Sequence, residues 1–356
     1  MFLALNEIRY AKLRYGLVIG VMFLIAYLVF FLTGLSYGLA QDNRTAVDKW
    51  GADTILLSKD ANNSLSMSML EKQVYDDVEA EQKAVLAQSP AVVMEKGNDD
   101  EKINVSFFGI DANQFLMPEV TSGRGFTADD EVVADESVKA EYGLKLGDEI
   151  RLSGNDKTFT IVGFTENAKF NVAPVLYTTI NAYQEIRFEK QDTSENARIN
   201  AIVVKGDLEN YPQDTLDQVE ISSFINDLPG YSAQVLTFGF MIGFLIVIAA
   251  IVIGIFIYVL TMQKKDIFGV MKAQGISSGF IARSVVAQTF ILAFIGITLG
   301  LVGTYGTSLI LPVAVPFQSN WLFLVGISLL MLVVAILGAV FSVRAVVKID
   351  PLKAIG

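Results

Sequence analysis

The 356-residue sequence contains no cysteine and no histidine. Disulfide frameworks, Cys/His metal sites, Cys or Ser/His nucleophilic centres and histidine pH switches are therefore excluded from this chain. Charge is missing from long stretches as well: Tyr15 to Gln41, Leu228 to Gln263 and Ser284 to Val343 hold no Asp, Glu, Lys or Arg. A helix needs ~20 apolar residues to cross a bilayer, so the first two stretches fit one span each and the third fits two. Pro312 and Pro316 divide the third stretch, because proline interrupts helical hydrogen bonding and favours turns. Four transmembrane helices are predicted, over roughly 14–36, 233–260, 281–308 and 321–343. A hydrophobic share of 52% fits an integral membrane protein.

The charge that is present is unevenly divided. Between Gln41 and Ser232 stand 35 acidic and 17 basic residues, whereas the remainder has 3 acidic and 10 basic. The basic residues outside that segment fall at Arg9, Lys12 and Arg14, at Lys264, Lys265, Lys272 and Arg283, and at Arg344, Lys348 and Lys353. In a four-helix arrangement all three groups lie on one side, which the positive-inside rule makes cytoplasmic. Both termini are then expected inside, with a domain of about 190 residues outside. The acidity of that domain reads first as a solvated surface rather than a cation site. The N-terminal apolar run is long enough to span and shows no small-x-small cleavage site before Asn43, so it is read as a retained first helix. Met1 to Lys12 is expected as an amphipathic helix on the inner surface, with Phe2, Leu3, Leu5 and Ile8 towards lipid.

The fold class that follows is an integral membrane α-helical protein with a large α+β extracellular domain inserted between the first and second spans. Its parts are residues 1–40, the inserted domain 41–232, and 233–356. Within the insertion, 46–87 reads as polar and helix-tolerant, 91–206 as short strands, and 211–228 as helix again, giving a mixed core with helical arms. Ile103 to Phe108, Asp148 to Leu152 and Thr158 to Phe164 are strand candidates. The last two flank the turn signal Ser153-Gly154-Asn155-Asp156.

Between the second and third spans, Ile267, Val270 and Met271 recur at helical spacing after Lys264 and Lys265, and Gly275 offers a stop. Such a short amphipathic helix suits either a soluble partner or the membrane surface.

This segment, Gln263 to Arg283, resembles the stretch between the second and third helices of the FtsX/MacB class of ABC permeases, as does the ending Ile349-Asp350-Pro351-Leu352-Lys353-Ala354-Ile355. Gly123-Arg124-Gly125-Phe126, Tyr142 to Asp148 and Phe159 to Gly163 are similar to the extracytoplasmic core domain of the same class. The resemblance implies a homodimeric transport subunit, itself not an enzyme, driven by a separate cytoplasmic ATPase dimer that carries ATP and magnesium. No Gly-x-x-x-x-Gly-Lys-[Ser/Thr] phosphate loop occurs in the chain, in agreement. By resemblance the ATPase docks on residues 263–280, with Lys264, Lys265, Ile267, Phe268, Gly269, Met271, Lys272 and Gly275 as coupling residues. Membrane lipid is a further expected partner and nucleic acid is not.

Within the class, Leu5 to Ile8, Thr33 to Leu39, Thr261 to Lys264 and Leu311 to Phe317 are similar to the haem-exporting permeases of Gram-positive bacteria. This implies haem as a transported substrate, with no cofactor permanently bound. The alternatives are a lipid, peptide or antibiotic cargo, or an FtsX-like role in which ATPase motion regulates an outer enzyme. Without His or Cys, an iron ligand would be Tyr, Met or less commonly carboxylate or Lys. Tyr231, Met241, Tyr37 and Tyr305 have the right depth, and Arg44 could pair with a propionate. Each has a plainer reading: interfacial tyrosines are commonly belt anchors and a methionine in a span is commonly packing, which also holds for Met331. Gly296, Gly300 and Gly303 read as a close helix-packing face. A proton relay is disfavoured, since the acidic residues outside the domain are Glu7, Asp266 and Asp350, all at the inner surface.

Overall fold

The computed structural model describes residues 12–98, 100–155, 157–194 and 196–347. The expected N-terminal surface helix, residues 1–12, lies outside the described residues except for Lys12, and the terminal motif, 349–355, lies wholly outside them. The chain divides into two compact units: a helical one, residues 1–38 and 236–356, and an inserted one, residues 39–235. Helices α1 (Lys12–Asp48) and α5 (Tyr231–Met262) contribute residues to both.

In the helical unit, α1 and α5 are joined by α6 (Lys265–Ala273), α7 (Ser278–Ser308) and α8 (Trp321–Val347). Helices α1, α5, α7 and α8 are long and apolar enough to cross a membrane. Each contains its predicted span, α1 running on well past residue 36, and the Pro312/Pro316 segment is the non-helical link between α7 and α8.

Small residues set how closely these helices approach. A side chain at Gly296 would collide with Met22, and one at Gly300 with Ala26 and the backbone of Tyr27. The glycine face of α7 is therefore a seam against α1 within one subunit, as close-packing Gly-x-x-x-Gly spacing allows. The α7–α8 link also closes onto α1. Gln318 N–H donates to the Gly34 carbonyl at 3.2 Å, and the Phe317 ring takes the space a Gly34 side chain would need. Hydroxyls inside the helices bond their own backbone four residues back: Thr33 to Val29 O at 2.7 Å, Thr289 to Val285 O at 3.0 Å and Ser328 to Leu324 O at 2.7 Å. In hydrocarbon no water can satisfy such groups, so the helix itself does.

The inserted unit is built on strands β1 (Thr54–Ser58), β2 (Leu70–Glu71), β3 (Glu79–Glu95), β4 (Ile103–Ile110), β5 (Ser122–Gly123), β6 (Glu131–Asp135), β7 (Glu149–Leu152), β8 (Thr158–Thr165), β9 (Lys169–Phe170), β10 (Ala173–Thr179), β11 (Arg198–Ile199), β12 (Ala201–Asn210) and β13 (Leu216–Glu220). The main sheet runs β13-β1-β12-β3-β4-β10-β6-β8-β5, with β7 bridging β3 and β8. It is mixed: β10–β4 and β6–β8 are parallel, and the other pairs are antiparallel. Helices α2 (Glu136–Tyr142), α3 (Ile180–Phe188) and α4 (Ile221–Asn226) complete it. Ile103–Ile110, Glu149–Leu152 and Thr158–Thr165 confirm the three predicted strands, the last two joined as the predicted hairpin through Arg151 opposite Thr158.

One expectation is corrected. The helix-tolerant reading of 46–87 holds only for the end of α1; beyond it come β1, two short 3₁₀ turns and the start of β3. The Ala/Glu/Gln/Lys composition of Glu79 to Ala84 favours helix locally, but cross-strand pairing with Val203 to Asn210 imposes the strand. The second arm, 211–228, likewise yields β13 before the short α4.

The core of the inserted unit is aromatic. Phe108 lies at its centre, with ring centroids 5.4 Å from Phe170, 5.8 Å from Tyr177 and 6.2 Å from Trp50, which in turn stacks on Phe224. Trp50, Phe108, Phe170, Tyr177 and Phe224 are all buried. Edge-on and offset arrangements such as these add to the area term of burial.

Candidate functional site

Helix α6 is short, and its two ends fix it tightly. Phe268 N–H donates to Lys264 O at 2.9 Å, and Gly275 closes the far end with a φ of +88°, a left-handed value suited to glycine. Two residues later Ser277 caps α7, accepting from Phe280 N–H. Phe268 and Gly269 are buried and Met271 packs against the helical core, so these three anchor α6 rather than face outward. Ile267 and Val270 project from it, 59% and 45% exposed, next to exposed Lys265 and half-buried Lys272. An apolar pair rimmed by cations can take up a protein surface or the lipid interface.

A buried polar node holds the root of this segment. Tyr15, only 1% exposed, accepts at its phenolic oxygen from Lys264 Nζ at 2.7 Å and from Gln288 Nε2 at 2.5 Å. The node ties α1, the α5–α6 junction and α7 together. A phenol between two donors at this depth is costly to leave unpaired, which fixes the partners' positions.

The five residues considered for a substrate fall into separate settings. Arg44 and Tyr231 are brought together, the guanidinium reaching the Tyr231 hydroxyl at 3.5 Å. Yet Arg44 is already clasped by Asp48, with Nη2 2.6 Å and Nε 2.9 Å from its carboxylate oxygens, and Tyr231 is largely buried. A propionate would have to displace or share Asp48. Tyr37 sits 6.2 Å from the Phe323 ring and exposed Tyr305 sits 6.1 Å from Trp321. Both contacts are made by the first turn of α8, an arrangement typical of an aromatic belt. Met241 is half-buried on α5. Met331 is buried in the helical core and reads as packing.

Comparison with known proteins decides the family. Residues 15–220 match the MacB-like periplasmic core domain and residues 239–351 match the FtsX-like permease C-terminal family. This chain is an ABC transporter permease of the MacB/FtsX family. Among curated proteins the permease is similar over its full length to the hemin transport system permease protein named HrtB of Staphylococcus epidermidis, with 25% identity over 367 residues, covering 100% of this chain and 99% of that one. An ABC transporter permease of Mycobacterium tuberculosis is 25% identical over 364 residues with the same coverage. Among solved structures, the periplasmic region of MacB from Actinobacillus actinomycetemcomitans aligns with 49% of this chain and 92% of its own, at 13% identity and a TM-score of 0.35.

Two groupings in the permease escape sequence reading. The Tyr15–Gln288 contact spans 273 positions, and nothing local marks either residue. In the inserted unit Lys169 lies between Asp42 at 3.1 Å and Glu141 at 3.3 Å, all three largely buried. Burial opposes the charged form of Lys169, but the two carboxylates outweigh it and hold its ammonium above the usual lysine range. The adjoining turn donates Asn171 and Val172 N–H groups to the carbonyls of Asn43 and Asp42, with φ of +50° and +68°. For a β-branched residue such as Val172 that backbone is strained.

Proposed function

We propose that this permease is the membrane subunit of an efflux transporter for haem, driven by a separate cytoplasmic ATPase. The full-length similarity to permeases named for hemin transport carries the proposal. The three basic groups support an orientation with α6 and both termini towards the cytoplasm and the inserted domain outside. In this reading two copies assemble, and the ATPase engages α6 through Ile267 and Val270, with Lys265 and Lys272 at the rim. Phe268 and the Tyr15 node transmit the push into α1, α5 and α7. The inserted domain then moves in response, and the substrate leaves from the outer leaflet without a wide internal channel.

Substrate contact is assigned to Tyr231 and Arg44, which offer a phenol and a cation, with Met241 on α5 as a separate thioether candidate. A loosely ligated porphyrin suits export, since release must follow capture. The test is a hemin titration of the permease copurified with its ATPase, recorded by absorbance and ATP turnover. A Soret shift and altered turnover at low micromolar hemin are expected, both weakened by Tyr231→Phe together with Met241→Leu. Absence of both responses in the unaltered complex would rule out haem and leave a lipid, peptide or regulatory role.

A further inference from the structure

Helices α7 and α8 enclose a groove that none of the transport steps uses. It is lined on α7 by Ala282, Arg283, Val286, Ala287 and Phe290, and on α8 by Ile336, Val340 and Val343. Its volume is about 470 Å³, within the ~300–1,000 Å³ typical of small-ligand sites. The spacing places it along one face of each helix, with Arg283 at one end and Phe290 two turns along. Alanines at 282 and 287 leave the hollow that larger side chains would fill.

Arg283 is the one ionisable residue of the lining, and it is exposed. Among the described residues it has no hydrogen-bond or ion-pair partner, while Ser278 to Val347 contains no Asp or Glu. No carboxylate on these two helices is available to pair with it, which leaves the guanidinium open to an anionic ligand. Both helices are long and apolar enough to cross a membrane, which puts an apolar groove on their shared face within reach of acyl chains.

We infer that the groove is a binding site for an anionic phospholipid, its phosphate on the Arg283 guanidinium and one acyl chain along Val286, Phe290, Ile336 and Val340. A guanidinium matches a phosphate with paired N–H donors, and basic pockets between transmembrane helices select anionic headgroups. The apolar wall is what distinguishes a lipid from free phosphate: phosphate alone would engage the guanidinium and leave the groove unfilled. The inference needs only that α7 and α8 cross a bilayer, and stands independently of the transport reading.

The experiment uses the full-length permease with Phe290→Trp as reporter in a Trp321→Phe background, and Val340→Trp as a second reporter should the first disturb packing. The protein is reconstituted in vesicles mixing phosphatidylcholine with brominated phosphatidylglycerol or brominated phosphatidylcholine. Quenching by the anionic lipid is expected to saturate at about fivefold lower mole fraction, from the ~1 kcal/mol carried by one basic residue at a membrane surface. Arg283→Gln should remove the preference and Arg283→Lys should keep part of it. Inorganic phosphate in bulk should not compete. Equal quenching by the two lipids, no quenching by either because protein fills the groove, or displacement by inorganic phosphate would each overturn the assignment.

Discussion

The two units of this permease are held together by opposite means. The inserted unit is packed around large rings: Phe108 touches Trp50, Phe170 and Tyr177 at once, and ion pairs such as Arg124–Glu131 decorate its surface. The helical unit gains its closest contacts from missing side chains, at Gly296 and Gly300 against α1. The difference follows from the surrounding solvent. Water drives large apolar groups inward, at roughly 25 cal/mol per Å² buried. Lipid gives no such drive, so helices associate through dispersion at close approach, which small residues permit.

Two substitutions of opposite sense test that contrast. Phe108→Ala, a shrinkage, should cost the inserted unit about 3–5 kcal/mol through lost burial and an unfilled cavity. Gly300→Leu, an enlargement, should cost the helical unit about 1–3 kcal/mol, because the Ala26 and Tyr27 backbone must move away. The two tryptophans report the units separately, Trp50 from the aromatic core and Trp321 from the start of α8. Denaturation of full-length protein followed at each would show whether each change stays in its own unit. If Gly300→Leu were neutral, the seam would not be a packing contact.

Charge offers the next comparison. Lys169→Met leaves Asp42 and Glu141 facing each other without their cation. The loss should lie between the ~1 kcal/mol of exposed pairs and the ~3–5 kcal/mol of broken buried ones, and Asp42→Asn should recover part of it. Unfolding midpoints of the single and double variants would read this, and full additivity would show that the three residues are not coupled.

The smallest effect concerns acid. Hydrogen bonds from Arg124, partly opposed by burial and assisted by Thr127, draw the Glu131 carboxyl down to about 2. A depressed folded-state pKa means the contribution is fully present above the unfolded value of ~4.3. It is lost as pH falls from there towards 2. Glu131→Gln should therefore flatten the acid limb of stability between those values while lowering stability at neutral pH. An unchanged acid limb would assign acid sensitivity to other carboxylates.

The sequence revealed most where the signal is additive along the chain. Span positions depend on summed apolar length, and the strands at 103–110, 149–152 and 158–165 on alternation between turn residues. What stayed hidden depends on partners far away in sequence. Strand β1 pairs with Val204 and Val219 regions well over a hundred positions on, and the Glu79 end of β3 is helix-like until β12 pairs with it. The candidate site divides the same way. The α6 segment was legible from its own spacing, whereas the burial of Phe268, the Asp48 clasp on Arg44 and the Tyr15 node required tertiary neighbours.

The Gly34 carbonyl, finally, serves two donors. Helical geometry assigns it to the amide of residue 38, and Gln318 N–H also reaches it. Glycine occupies both 34 and 38, so no Cβ stiffens that turn. A side chain at 34 would collide with the Phe317 ring and one at 38 with the Pro316 carbonyl, so this pair of glycines is what seats the Pro312–Gln318 link on the 37-residue rod of α1.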